Sequence, residues 1–238
     1  PDGGWGQYYG AGADLSTSAE CYLALKMCGQ DPDSDEMRRA RRLVLGKGGV
    51  EKVRAFTKIW FAMLGQWDWK GTPNMPPGMI FLPAWAPFNI YEFASWARAT
   101  VVPMLIILTR QPYCAVPESA DIDELYPGGR EGTDYRLPKP TNGFGWSKAL
   151  YWADKLVGLY QRLPAHPFRG RAERKIIQWV LDHQEADGSW AGIQPPWVYS
   201  LIALHTLGYG PDHEAVKKGF QGFEGFALEE EDKCNVQA

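Results

Sequence analysis

The carboxylates of "ADIDELY", Asp121, Asp123 and Glu124, form the densest acidic grouping that could do acid–base work. A carboxyl serves as a general acid only when its pKa is raised toward the working pH. This trio instead follows "YCAVPES" in a polar stretch, which reads as a solvated loop. Hydrolysis of a glycoside needs two carboxylates across a polar cleft, and no such pair stands out. The four His (166, 183, 205 and 213) and four Cys (21, 28, 114 and 234) show no metal-ligand spacing, so neither metal nor cofactor is expected. Cys21 and Cys28 lie seven apart on one predicted helix and read as reduced core thiols, which favours a cytoplasmic home. What remains is aromatic: 11 Trp, 11 Tyr and 10 Phe are too many indoles and rings to pass as ordinary usage. Gln194 is the other oddity, an amide between an aliphatic residue and two prolines. It needs hydrogen-bond partners if buried, such as the end of a neighbouring helix.

With 238 residues and 45% hydrophobic content the chain can bury a substantial core. A net charge of -3 from interspersed residues provides no basic stripe, so nucleic acid is not an expected partner. The most apolar run, "VVPMLIIL" (101–108), is far short of the roughly 20 residues of a spanning helix and holds Pro103. The start at Pro1, without a signal-like stretch, reads as an excised piece.

The elements that must position these residues are helical, because apolar residues recur at helical spacing and strict alternation is scarce. Helices are expected near 16–28, 36–46, 50–65, 91–109, 147–163, 171–184, 196–207 and 213–226, with Gly and Pro in the connections. The long connection at 111–145 suggests a functional or packing role. "ALKMCG" (24–29) matches "ALHTLG" (203–208), each downstream of a Gly-x-Trp turn, and a weaker copy runs from "GKGGV" to "FAMLG". Helix pairs of this kind bury their faces by stacking, so the expected fold is all-α, an α/α barrel or toroid. In "QEADGSW" Gly188 permits the sharp exit from the helix. Gln184 can bond a neighbouring helix end, and Trp190 can cover the joint. "PDGGWG", with Trp5, repeats that ending.

Gln-x-x-x-Gly-x-Trp is similar to the QW motif of triterpene cyclases. Together with "GGVEKVRAFTKIWFAMLG", "NIYEFASWARATVV", "HPFRGRAE" and "GSWAGIQPPWVYSLIAL" it resembles the squalene-hopene cyclase family, in order and over nearly the whole chain. The resemblance implies one α/α-barrel domain over 1–238, incomplete at both ends and built with QW-type turns. It also implies polycyclisation of squalene or a related isoprenoid through carbocations, which aromatic faces stabilise. Trp96 and Phe56 then match rings of the substrate cavity, and Phe93 and Val101 a channel constriction. Ile193, Gln194, Pro195 and Tyr199 match the wall near the final cation, where Gln194 would help hold a proton-accepting water, and Ala238 matches a further cavity residue. Without the resemblance, Trp96 and Phe56 read as core packing.

The acid of that family lies in an Asp-x-Asp-Asp motif that this chain lacks, and "ADIDELY" stands in the wrong place for it. The acid-bearing second barrel is therefore an expected partner, and the chain alone is expected to be inactive. The resemblance further implies peripheral, monotopic attachment at the cytoplasmic membrane face, with a homodimer among the assemblies considered. On the helix from 147, Leu150, Tyr151, Leu156, Leu159, Tyr160 and Leu163 can form an apolar stripe, with Lys148, Asp154 and Arg162 elsewhere; it suits a bilayer surface or a barrel interior. The rival readings are a non-catalytic isoprenoid- or membrane-binding module, a prenyltransferase and a glycosidase.

Overall fold

The computed structural model describes residues 3–87, 89–136, 146–161, 168–230 and 233–236. Among them are α1 (Leu15–Met27), α2 (Asp35–Gly46), α3 (Ala55–Met63), α4 (Ser95–Arg110), the single turn α5 (Gly129–Gly132), α6 (Trp146–Gln161), α7 (Arg169–Asp182), α8 (Gln194–Thr206) and α9 (Glu214–Glu224). The all-α class holds, with one addition: β1 (Ala227–Glu230) pairs antiparallel with β2 (Lys233–Val236). Strands of four residues are too short for a period-2 pattern to register. Two compact units result, each with its own core: the described residues of Pro1–Pro73 with Pro112–Lys139, and those of Asn74–Gln111 with Pro140–Ala238.

In the first unit, Asp14 caps α1 by accepting from the Thr17 amide at 2.9 Å. Met37, Ala40 and Val44 form the buried stripe of α2. The helix expected over 50–65 is broken. A 3-10 turn at Val50–Lys52 gives way to extended Val53 and Arg54 before α3 begins. The Arg54 amide donates to Ser16 Oγ at 2.9 Å, a long-range bond that replaces the helical one. The long connection has a packing role, because Ile122, Leu125 and Tyr126 join Tyr22, Met37, Phe61 and Trp67 in the core. The thiol expectation is corrected: Cys28 and Cys114 are exposed and Cys21 is half-buried, all three free.

In the second unit α4 packs against α7 and α8. Its stretch from Val102 to Leu108 is buried at every position, Pro103 included. A helix apolar on all sides belongs inside, which accounts for the run that was too short for a membrane. Among the described residues no helix is long and apolar enough to cross one. Val102, Leu105 and Ile106 share a core with Ile176, Val180, Trp197 and Leu204. Arg110 forks onto Glu173, with Nε and Nη2 donating to its two carboxylate oxygens at 2.7 and 2.6 Å, and so ties α4 to α7. In α6, Asp154 accepts from the backbone and side-chain nitrogens of Asn74 at 2.7 and 3.2 Å, while Trp152 and Leu159 are exposed. Leu163 and Arg162 lie outside the described residues, as do the side chains of Leu150, Leu156 and Tyr160.

Candidate functional site

The repeated helix ends share one geometry. Gly29, Gly65 and Gly208 have φ of +83°, +72° and +91°. The amide after each reaches back five residues: Gln30 to the Leu25 carbonyl at 2.9 Å, Gln66 to Phe61 at 2.6 Å and Tyr209 to Leu204 at 3.1 Å. This is the Schellman closure, available to glycine without a Cβ clash. At the end of α7, Gln184 Nε2 donates to the carbonyls of Gly188 at 3.1 Å and of Ala215, in the first turn of α9, at 2.8 Å. Gly188 sits at φ +92°, and a Cβ there would stand 2.2 Å from the Lys218 carbonyl oxygen. Trp190 is fully buried and donates through Nε1 to the Val180 carbonyl at 2.7 Å. In the next layer, Trp197 donates to the Gly219 carbonyl at 3.0 Å and meets Phe223 and Phe226 edge-on.

The candidate wall residues fall on a few element ends. Trp96 stands in the first turn of α4 and is 58% exposed, so it does not fill the core. Phe93 precedes that helix in extended backbone, and Val101 lies one turn beyond Trp96, half-buried. The helix expected over 91–109 is thus two pieces, a 3-10 turn at Ile90–Glu92 and α4, split where Phe93 and Ala94 turn extended. Ile193 is the N-cap of α8, Gln194 its first residue and Pro195 its second, a position where a ring without an N–H costs no helical bond. Tyr199, one turn on, is buried. The packing of α4 on α8 puts these residues on, or just ahead of, two neighbouring helices of the second unit. Phe56 belongs to the first unit, in the first turn of α3 and 52% exposed, which removes core packing as its role too. Ala238 lies outside the described residues. Two surface concavities of the first unit, one lined by Gly3, Trp5, Glu36 and Arg39 and the other by Leu23, Met27, Trp60 and Phe61, include none of these residues.

The carboxylate trio is solvated only in part, which corrects the expectation at Glu124: Asp123 is exposed and Asp121 half-buried, while Glu124 turns inward. Lys26 donates to Glu124 at 2.8 Å and also to the Asp121 carbonyl, and the hydroxyl of fully buried Tyr22 donates to Glu124 at 2.8 Å. Gln66 donates to the Asp121 carboxylate at 2.7 Å, and Arg130 pairs with Asp123. Burial works against the charge of Glu124, yet the bonds from Lys26 and Tyr22 outweigh it and hold its carboxyl below the ordinary range. A group held ionised is the reverse of a proton donor. The trio is a latch that ties the long connection to α1. No group of three or more His, Cys, Asp or Glu suited to a metal occurs among the described residues.

Arg98 and Asn89 were missed in sequence. Arg98 donates to the carbonyls of Ile90, Tyr91 and Phe93, and buried Asn89 donates to those of Ala84 and Ala86. The available signal was a cation in the first turn of a helix, where the dipole disfavours it.

Comparison with known proteins bears on what these residues serve. The family model described as squalene-hopene cyclase N-terminal domain matches residues 1–232. The chain is 43% identical over 233 residues, 96% of its length, to a squalene-hopene cyclase of Alicyclobacillus acidocaldarius, and covers 35% of that protein. It is 37% identical to a dammaradiene synthase of Dryopteris crassirhizoma, with 99% of the chain matched to 34% of that protein. A squalene hopane cyclase of Aspergillus fumigatus is 38% identical, with 94% of the chain matched to 31% of it. The chain thus spans about a third of the length of these relatives. On a match that runs nearly end to end, the chain belongs to the squalene-hopene cyclase N-terminal domain family.

Proposed function

We propose that this chain provides substrate-wall residues to a triterpene cyclase, an isomerase that folds squalene and closes its rings through carbocations. The observation that carries this reading is the exposed indole of Trp96, a large apolar ring held out of the core at the head of a buried helix. Cations formed from an alkene are captured by water, so a wall that tolerates them must be apolar and yet rich in electron density. An indole face meets both needs, and its attraction to a cation is worth about 2 kcal/mol when desolvated. Realised in the transition state alone, that is more than tenfold in rate. Within the same unit as Trp96, Ile193, Gln194, Pro195 and Tyr199 supply wall from α8. Because no carboxylate among the described residues is set up to donate a proton to carbon, initiation belongs to an acid in a second barrel, and the isolated chain is inactive. A peripheral site on the cytoplasmic membrane face belongs to the same proposal, since the proposed substrate is a hydrocarbon.

In the intact enzyme, Trp96→Leu keeps apolar volume and removes the ring, while Trp96→Phe keeps a weaker face. The expected outcome is near-normal folding for both, a tenfold or greater rate loss for Leu, a smaller one for Phe, and incompletely cyclised products extracted after incubation with squalene. A Leu variant with the parent's rate and product spectrum per folded molecule would exclude a cation-stabilising role.

A further inference from the structure

Segment 84–93 leads into α4 without a side-chain N-cap on that helix, since Ala94 occupies the cap position. Two side chains do the tethering instead. Asn89, fully buried, donates to the carbonyls of Ala84 and Ala86 at 3.1 and 2.7 Å and accepts from the Tyr91 amide at 2.8 Å. Arg98 reaches back from α4: its Nε donates to the Ile90 carbonyl at 3.0 Å, and one terminal nitrogen to those of Phe93 at 3.2 Å and Tyr91 at 3.4 Å. Its guanidinium centre also lies 5.4 Å from the centroid of the Tyr91 ring. A cation in the first turn of a helix opposes the dipole, and no carboxylate pairs with Arg98 among the described residues. A residue kept against its local preference points to a second duty. Here the duty is geometric. A flat fork of five N–H donors can hold several carbonyls of one bend at once, which a lysine ammonium cannot reproduce.

We infer that Arg98, backed by Asn89, is the positioning residue that sets where Phe93 and Trp96 stand toward a polyprene chain. This rests on the wall reading of Trp96. Phe93 belongs to the extended pair that Arg98 closes and Trp96 follows it by two residues, so a loosened bend shifts both rings together. Attraction between a cation and a ring depends on their separation, and a displacement of about 1 Å in an active site costs up to a hundredfold in rate.

The test compares Arg98→Lys and Arg98→Met in the intact enzyme, with Trp96→Leu as the reference. Hydrogen exchange is followed in residues 89–97 and in α8, together with melting temperature, kcat and KM for squalene, and extracted products. The expected result for Arg98→Lys is a folded enzyme with faster exchange confined to 89–97. Its kcat per folded molecule should fall about tenfold, with more incompletely cyclised product, and Arg98→Met should be worse on each count. Should Arg98→Met fail to fold, the Lys variant decides alone. Faster exchange at 89–97 with parental kcat and products would make Arg98 a structural tie only and overturn the inference, as would unchanged exchange. Altered products in Trp96→Leu but not in Arg98→Lys would sink the positioning role and leave the wall standing. Parental products in both would sink the wall reading itself.

Discussion

The two units close matching Gly-x-Trp turns with different materials. In the second, Trp190 is sealed on every side, its N–H spent on Val180 and its turn braced by Gln184 against α9. In the first, Trp5 is only half-buried, and its backbone amide donates to Ser18 Oγ at 2.9 Å. That unit depends more on the polar latch of Lys26, Tyr22, Gln66 and Arg130 around residues 121–124. The same repeat can therefore be held by an indole wedged between helices or by a partly solvated ionic network. The first kind is insensitive to pH, and the second is not.

The largest effect that would test this contrast is truncation of the two indoles. Trp190→Ala leaves a cavity in the core of the second unit and is expected to lose roughly 3–5 kcal/mol in denaturant unfolding. Trp5→Ala, removing a half-exposed ring, should lose well under half of that. Equal losses would mean that the two joints are equivalent after all. Next in size is the glycine pair. Gly188→Ala meets both a positive φ and the Lys218 carbonyl, so a loss of about 2 kcal/mol or more is expected. Gly29 has the same backbone but open space around it, so Gly29→Ala should lose only about 1 kcal/mol.

An effect comparable to that of the glycine pair, and the one that distinguishes the materials, is expected from Glu124→Gln. Two charge-assisted bonds weaken, for about 2 kcal/mol at neutral pH. Because the folded carboxyl titrates below its ordinary value of 4.5, its contribution is complete above that value and is lost as pH falls through the folded pKa. Between neutrality and acid the parent should therefore lose stability that Glu124→Gln has already lost, and their melting temperatures should converge. Parallel curves for parent and variant would show that the latch does not depend on the charge.

Much of the helical order was readable because its signals are local. A glycine that follows an apolar run announces a stop whatever lies around it, and Gly29, Gly65 and Gly208 all close in the same way. The breaks at Val53–Arg54 and Phe93–Ala94 were not readable, since each depends on a partner outside the local pattern: Ser16 for one and the Arg98 fork for the other. Glu124 was misread for the same reason. Polar letters in a Gly- and Pro-rich stretch look solvated until Tyr22 and Lys26, about a hundred residues earlier, are brought beside them.

By itself the sequence determined the all-α class, the position of most helices, the repeated Gly-x-Trp ending and the family, all of which rest on periodicity, backbone permissiveness or ordered motifs. Tertiary structure alone decided which of the many aromatic rings are buried and which are presented. Trp190 and Trp96 are the same residue type, each close to a helix start, yet one is enclosed by α7, α8 and α9 and the other is left open at the head of α4. Burial depends on what the rest of the chain places alongside a residue, and local spacing carries no record of that.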